Sequence, residues 1–195
     1  MSETSADLPD DDDMPEAPGP RAARRAEMLR VDHAGEYGAV NIYRGQRAVF
    51  DKLKGKDRLS RLLKEMEDGE QHHLETFDKY LLERNIRPTL FSPIWNAAGF
   101  ALGAGTALMG EKAAMACTSA VEDVIEKHYA EQVAELEGDG TEADLKDTLA
   151  QFREEEIGHH DTAIEEGAEQ AFGYSVLKGV IGAGCKLAIR LSEKI

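Results

Sequence analysis

The chain has 195 residues, of which 42% are apolar and 31% charged, a balance that excludes a wholly disordered protein and suits a single domain. Acidic residues outnumber basic ones by 38 to 23, and the resulting net charge of −15 argues against nucleic acid as a partner. The two cysteines, Cys117 and Cys185, are too few for a disulfide framework or a four-cysteine metal site, and they indicate a reducing compartment.

Residues 1–20 are predicted to form a disordered acidic tail. They contain seven acidic side chains, no basic one and four prolines, so charge repulsion and proline both oppose a helix. The segment has no apolar stretch typical of a secretion signal, and it is too acidic for a mitochondrial transit peptide. Residues 21–195 are then expected to form one domain.

The rest of the sequence predicts helices throughout, because no segment shows the alternation of β-branched and aromatic residues typical of strands. Apolar side chains recur at helical spacing in six segments, at about 24–54, 57–84, 92–109, 112–136, 141 onwards and 174–194. Ser92 followed by Pro93 predicts the capped start of the third helix, and Thr141 predicts the cap of the fifth. The predicted fold class is all-α.

Four of these helices carry a glutamate where the apolar stripe predicts a core residue. The four are Glu36, Glu70, Glu122 and Glu156. An unpaired ionised carboxylate inside a helical bundle is costly, so four of them in equivalent positions require a common explanation.

The spacing of these glutamates supplies that explanation. Glu70 begins a Glu-x-x-His motif that ends at His73, and Glu156 begins a second one that ends at His159. Each motif follows a lone glutamate by 34 residues, and residues at i and i+3 share a helix face. One Glu from each of two helices and a Glu-x-x-His from each of two others form the ligand set of ferritin-like dimetal bundles. This oxygen-rich set without thiolates favours iron or manganese.

Other histidines compete for the ligand role. His72 lies one step off the apolar stripe and is predicted to be solvated or to touch a ligand from outside. His160, at i+4 from Glu156, could replace His159, although the i+3 spacing of the first motif favours His159.

The remaining polar neighbours of the motifs are predicted to lie outside the ligand set. They are Glu67, Glu154 and Glu155 as surface charges, His33 as a core histidine or one behind a ligand, and Cys117 as a small buried residue. His128 and Tyr129, two turns beyond Glu122, are either packing residues or part of a proton and electron route to the metals.

Two further segments, at about 90–109 and 174–194, are predicted to be apolar or amphipathic helices outside the four-helix bundle. Residues 88–110 carry no charge, but Pro93, Asn96 and four glycines disfavour a membrane-spanning helix. In the last helix, apolar residues share one face, with basic residues on or beside the polar side: Val176, Leu177, Val180, Ile181, Leu187, Ala188 and Leu191, with Lys178, Lys186, Arg190 and Lys194. Such helices suit an anionic lipid surface. The alternative is that both pack on the bundle or on a second copy of the chain.

Four stretches of the chain have distinctive sequences: LRVDHAGEYGA at 29–39, WNAAGFALGAGTAL at 95–108, AMACT at 114–118 and FREEEIGHHD at 152–161. They resemble the demethoxyubiquinone hydroxylase family of ubiquinone biosynthesis, and the resemblance runs from about residue 24 to the C-terminus. It implies a di-iron site with the ligands Glu36, Glu70, His73, Glu122, Glu156 and His159. We expect Glu70 and Glu156 to bridge the ions, because each shares its helix with a histidine ligand.

The resemblance also implies an activity, the O₂-dependent hydroxylation of a polyprenyl methoxy-methyl-benzoquinol, by a peripheral protein on the cytoplasmic side of the cell membrane. The implied cofactors are two iron ions, with O₂ as co-substrate. An external reductant is also required. The sequence has no Rossmann motif for binding a dinucleotide, so the expected reductant is a partner protein, NADH bound in another way, or the quinol itself. Expected partners are the quinol, the membrane surface, an electron donor or another ubiquinone-pathway protein, and a second copy of the chain.

Two rival functions remain open from the sequence. One is a soluble-type dimetal peroxidase or ferroxidase on the same bundle, which would have no need of the two outer apolar helices. The other is a non-catalytic metal- or lipid-binding bundle.

Overall fold

The computed structural model describes residues 19–140 and 142–194, which form six α-helices and no β-strand. The helices are α1 (Pro20–Phe50), α2 (Asp57–Glu83), α3 (Ser92–Leu108), α4 (Glu111–Asp139), α5 (Ala143–Glu165) and α6 (Tyr174–Ser192), and a short 3₁₀ turn (Ala168–Gln170) precedes α6. The all-α prediction is confirmed for these residues. The predicted acidic tail lies outside them except for Gly19 and Pro20, and Thr141 also lies outside them.

Several helix ends differ from the sequence prediction for local reasons. α1 begins at Pro20, about four residues before the predicted start. A proline is tolerated in the first turn of a helix, because the amide proton that it lacks would have no helical hydrogen-bond partner there. α1 ends at Phe50, before a turn in which Gly55 has a φ of +80°. Ser92 does not cap α3 as predicted. It is the first helical residue, and its hydroxyl donates a 2.9 Å hydrogen bond to the Thr89 carbonyl oxygen.

The bundle consists of α1, α2, α4 and α5. α1 packs against α2 and α4 against α5, while α3 lies along α1 and α6 lies along α4. All four bundle helices contribute to an apolar cluster at one end, formed by Met28, Leu29, Phe77, Leu81, Tyr129, Leu136, Leu145, Leu149 and Phe152. A second apolar cluster contains Phe50, Leu63 and Ala163. Along each bundle helix, the buried glutamate lies between residues of these two clusters.

The backbones of α1 and α3 approach each other closely at glycines of α3. A Cβ atom at Gly99 would lie 2.6 Å from the Gly38 carbonyl oxygen, and one at Gly103 would overlap the Ile42 carbonyl. Only glycine leaves room for such an approach. Two of the glycines that make α3 a poor membrane span, Gly99 and Gly103, therefore allow its close packing on α1.

The outer faces of α3 and α6 expose large apolar side chains. Phe100 and Leu108 are exposed on α3, and Val176, Val180, Leu187 and Leu191 are exposed on α6. The single apolar face predicted for the last helix is in fact divided, because Ile181 is buried against α4. Within residues 19–140 and 142–194, we find no helix whose length and hydropathy would let it span a membrane.

Candidate metal centre

The bundle brings together the six residues of the predicted ligand set. Glu36 comes from α1, Glu70 and His73 from α2, Glu122 from α4, and Glu156 and His159 from α5. The four glutamates and His73 are buried, whereas the side chain of His159 is 17% exposed.

These residues form two overlapping groups of ligand atoms. In each group the atoms lie within 4.8 Å of one another: Glu36, Glu70, His73 and Glu156 in the first, and Glu70, Glu122, Glu156 and His159 in the second. Glu70 and Glu156 belong to both groups. Two neighbouring ions would share these two carboxylates, and each would have one further glutamate and one histidine of its own.

The donor atoms of the cluster lack hydrogen-bond partners within the protein. Buried and without a partner are both carboxylate oxygens of Glu70 and of Glu156, Oε2 of Glu36 and of Glu122, and Nδ1 of His73 and of His159. Some of these atoms lie close together, such as His159 Nδ1 and Glu70 Oε1 at 2.8 Å, without the geometry of a hydrogen bond. Unsatisfied buried groups are costly, and a carboxylate and imidazole donor set suits divalent iron or manganese, so the residues fit a metal centre.

Without an ion, the cluster balances its charge with protons. Burial and the charges of nearby carboxylates raise the pKa of Glu36 and of Glu122 well above the usual range. Burial alone would lower the pKa of His159, but the carboxylates of Glu156 and Glu70 raise it to about 11. Binding of divalent ions would therefore release protons from these side chains.

Two tyrosines hold the lone glutamates from across the bundle. Tyr43 on α1 donates a 2.6 Å hydrogen bond to Glu122 Oε1 on α4, and Tyr129 on α4 donates one to Glu36 Oε1 on α1. Tyr129 was among the residues singled out from the sequence, but no role was predicted for Tyr43. The signal was available, because each tyrosine follows the lone glutamate of its own helix by seven residues.

His128 lies outside the two groups of ligand atoms and contacts Asp32 and Gln132. Its Nε2 is 3.3 Å from Asp32 Oδ1 and 2.9 Å from Gln132 Nε2. Burial lowers the pKa of His128, but the Asp32 carboxylate outweighs it and raises that pKa above its usual value.

The prediction of surface charges before the Glu-x-x-His motifs is wrong for Glu67. Glu67 is buried and pairs with Arg44 and Arg47, because its position three residues before Glu70 turns it towards α1. Glu155 is half-buried, and its Oε2 lies 2.8 Å from Nε2 of His73. Glu154 is exposed, as predicted.

The other histidines stay outside the two groups of ligand atoms. His72 is exposed, and His160 contacts Asp161 at 3.2 Å. His33 is buried, with Nε2 3.0 Å from Asp78 Oδ1, which agrees with a core histidine. Cys117 is fully buried as predicted, and burial raises the pKa of its thiol to about 12.

An apolar cavity lies between α1 and α4 on one side and α3 and α6 on the other. Its volume is about 470 Å³, and no charged side chain lines it. The lining includes Gly35 and Val121, which directly precede Glu36 and Glu122 in the sequence. The cavity therefore reaches the two helices that carry the lone glutamates.

Comparison with known proteins agrees with this arrangement. The family model described as "Ubiquinone biosynthesis protein COQ7" matches residues 23–192. The chain belongs to this family. The resemblance seen in the sequence is thereby confirmed, and the matched range contains all six predicted ligands, the cavity and both outer helices.

Several relatives carry the names of hydroxylases. The chain is 50% identical over 185 residues to a 3-demethoxyubiquinol 3-hydroxylase of Rhodospirillum rubrum, covering 95% of this chain and 84% of the relative. It is 48% identical over 170 residues to the mitochondrial NADPH-dependent 3-demethoxyubiquinone 3-hydroxylase of Rattus norvegicus, covering 86% and 76%. It is 42% identical over 188 residues to the mitochondrial 5-demethoxyubiquinone hydroxylase of Saccharomyces cerevisiae, covering 90% and 80%.

Proposed function

We propose that this protein hydroxylates the ring of a polyprenyl demethoxyubiquinol, with two iron ions held by the six residues of the cluster and with O₂ as co-substrate. The observation that carries the proposal is the cluster itself. Four carboxylates and two imidazoles meet in the bundle core with most of their donor atoms unsatisfied, in a member of a hydroxylase family.

The cluster is built to hold two cations close together. Glu70 and Glu156 would bridge them, Glu36 with His73 would complete one site, and Glu122 with His159 would complete the other. Two ferrous ions held there would supply two of the four electrons that reduce O₂. The oxidised C–H bond would supply the other two, so that one oxygen atom enters the ring and one leaves as water, and an external reductant would return the electrons taken from the ions. The word "NADPH-dependent" in the name of the rat relative favours a reduced nicotinamide nucleotide.

The cavity gives the substrate a place beside the cluster. Its apolar lining suits an isoprenoid tail and a quinol ring, and it includes the residues directly before Glu36 and Glu122. Tyr43 on α1 orients the carboxylate of Glu122 on α4, and Tyr129 on α4 orients that of Glu36 on α1. The substrate's ring then lies next to fixed ligands.

The exposed apolar side chains of α3 and α6 suit a membrane surface, where a long-tailed quinol resides. Leu187 both lines the cavity and is exposed, so the cavity and the exposed face adjoin. Lys186 and Arg190 are exposed on the same helix and would meet anionic headgroups. We propose that the protein lies at the cytoplasmic side of the cell membrane as a peripheral protein.

Single-turnover hydroxylation tests the proposal. The purified chain, loaded with ferrous iron, is mixed with a short-tailed demethoxyubiquinol, NADPH and isotopically labelled O₂. We expect a product heavier by one labelled oxygen atom. Consumption of hydrogen peroxide in a parallel assay, without ring oxygenation from O₂, would favour the peroxidase alternative, and binding of iron without any oxygen consumption would favour a non-catalytic bundle. Either result would contradict the proposal.

A variant that fills the cavity tests the substrate site separately. Gly38 lines the cavity, and a Cβ atom there would meet no other atom within 4 Å. Gly38→Leu should therefore keep its iron but lose most of its hydroxylation, because the side chain occupies the cavity. Gly105→Leu is the matched control, since Gly105 also has open space but does not line the cavity. Equal activity of the two variants would place the substrate elsewhere.

A further inference from the structure

The two halves of the bundle repeat one another around the cluster. Each residue of α1 and α2 at the site has a counterpart 86 positions later on α4 or α5: Glu36 and Glu122, Tyr43 and Tyr129, Glu70 and Glu156, His73 and His159. The hydrogen bonds follow the same symmetry, because each tyrosine binds the lone glutamate of the other half. Departures from this symmetry identify features that distinguish the two ion positions.

The symmetry fails at the outer nitrogen atoms of the two histidines. Nε2 of His73 lies 2.8 Å from Oε2 of Glu155, the residue directly before Glu156. The counterpart of Glu155 in the other half is Gly69, directly before Glu70. Within the part of the chain that the structure describes, no side chain forms a hydrogen bond with Nε2 of His159.

Glu155 is itself held in place. Its other oxygen, Oε1, accepts a 2.9 Å hydrogen bond from the Gln151 side-chain amide, one turn earlier on α5. The ring of His73 also stacks on Phe152, with 3.9 Å between ring centroids. His73 is therefore fixed at its outer nitrogen and at its face, and its Nδ1 points towards Glu36, Glu70 and Glu156.

Gly69 leaves His159 in a different environment. A Cβ atom at position 69 would lie 3.3 Å from Cε1 and 3.4 Å from Nε2 of the His159 ring, so any larger residue would press on the imidazole. His159 is also partly exposed, whereas His73 is fully buried. The sequence thus provides a fixed histidine in one half and a less constrained, solvent-accessible one in the other.

We propose that Glu155 is a positioning residue that makes the ion site of Glu36 and His73 the tighter of two unequal sites. Gly69 leaves the ion site of Glu122 and His159 as the weaker one, which loses its ion first. A carboxylate that accepts the N–H of a ligating imidazole fixes its tautomer and orientation, and its loss typically weakens metal affinity by about 10–100-fold. The inference rests on the proposed function, because it requires that the cluster bind two ions.

Anaerobic titration of the chelator-treated full chain with ferrous iron tests this inference, with calorimetry as the readout. We expect two binding steps whose affinities differ by about tenfold or more. Glu155→Gln should weaken the tighter step by about 10–100-fold, so that the two steps merge. Glu154→Gln, an exposed neighbour with the same change of charge, should leave both steps unchanged.

The Gly69→Ala variant tests the weaker ion site. Its added methyl group would crowd His159, so it should weaken the second step and leave the first unchanged. Equal affinities in the unaltered chain would overturn the inference, as would a Glu155→Gln variant that leaves the tighter step intact or weakens both steps alike. If hydroxylation proceeds in such a case, the proposed function stands and only the inequality is wrong. If no iron binds at all, the proposed function fails first.

Discussion

Tyr43 and Glu122 join α1 to α4 through a buried 2.6 Å hydrogen bond. This bond orients a carboxylate of one half of the bundle from the other half, and the bond from Tyr129 to Glu36 does the reverse. The two halves therefore fix each other's ligands. A movement of α1 relative to α4 would disturb both ion positions together.

Removing the hydroxyl of Tyr43 should destabilise the metal-free protein. Tyr43→Phe leaves both oxygens of Glu122 without a hydrogen-bond partner in the core, which costs about 1–3 kcal/mol of unfolding free energy. Chemical denaturation followed by circular dichroism measures the loss. Tyr80→Phe is the control, because its hydroxyl contacts Thr148 in a half-buried position and should cost about 1 kcal/mol or less. A larger loss in the control would contradict a special role for Tyr43.

Removing a shared glutamate should abolish binding of both ions, whereas removing a lone glutamate should affect one. Glu70 and Glu156 belong to both groups of ligand atoms, but Glu36 belongs to one. Elemental analysis of iron per chain should therefore fall close to zero in Glu70→Ala and about to half in Glu36→Ala. Full iron content in Glu70→Ala would contradict the bridging role. Glu154→Ala, which alters an exposed side chain, should keep the unaltered iron content.

The Glu36→Ala variant should not unfold without metal. Burial and the charges of Glu70 and Glu156 raise the pKa of Glu36, which means that the ionised form of Glu36 is unfavourable in the metal-free cluster. Removing the carboxyl group relieves that cost, which opposes the loss of packing and of the hydrogen bond that Tyr129 donates to Glu36. We expect the melting temperature of metal-free Glu36→Ala to equal or exceed that of the metal-free parent. A marked fall would show that the carboxylate stabilises the bundle without a metal.

The contact between α1 and α3 should be intolerant of a single methyl group at Gly103. Gly103→Ala places a Cβ atom against the Ile42 carbonyl, and the overpacking should cost about 1–3 kcal/mol. Gly105→Ala, two residues later, meets no atom within 4 Å and should be neutral or stabilising by up to about 1 kcal/mol, because alanine favours helix. Opposite signs in thermal denaturation would support the close approach, and equal effects would contradict it.

Membrane attachment should depend on apolar residues that do not line the cavity. Val176 and Leu191 are exposed on α6 and lie outside the cavity lining. Changing both to glutamate should release the protein from vesicles that contain anionic lipid, because each large apolar side chain withdrawn from lipid costs roughly 1.5–3 kcal/mol. Iron content should not change, since the ligands lie on other helices. Flotation of the variant with the vesicles would contradict the proposed interface.

The ligand positions could be predicted from the sequence because they depend on spacing within single helices. Glu70 and His73 share a face whatever the bundle's geometry, and the second motif repeats that relation. The role of Glu155 could not be predicted, because periodicity gives the direction of a side chain but not which neighbouring helix it meets. The contact of Glu155 with His73 depends on how α5 lies against α2.

The glycines of α3 illustrate a second limit. In the sequence, Gly99 and Gly103 only dilute an apolar segment, and that is why a spanning helix was disfavoured. Their close approach to Gly38 and Ile42 is a property of two helices packed together. Because glycine has no side chain, it adds nothing to the hydrophobic periodicity from which the buried face of a helix is predicted.

The close approach of α3 to α1 makes the two outer helices mechanically unequal. α3 rests on α1 through backbone contacts, whereas α6 rests on α4 through side chains such as Ile181, and the cavity lies between these supports. Packed side chains permit small sliding movements that interlocked backbones resist. The cavity thus has a rigid wall, formed by α1 and α3, and a compliant wall, formed by α6. We therefore expect bulkier tails to be accommodated by displacement of α6, while the part of the cavity formed by α1 and α3 keeps its shape.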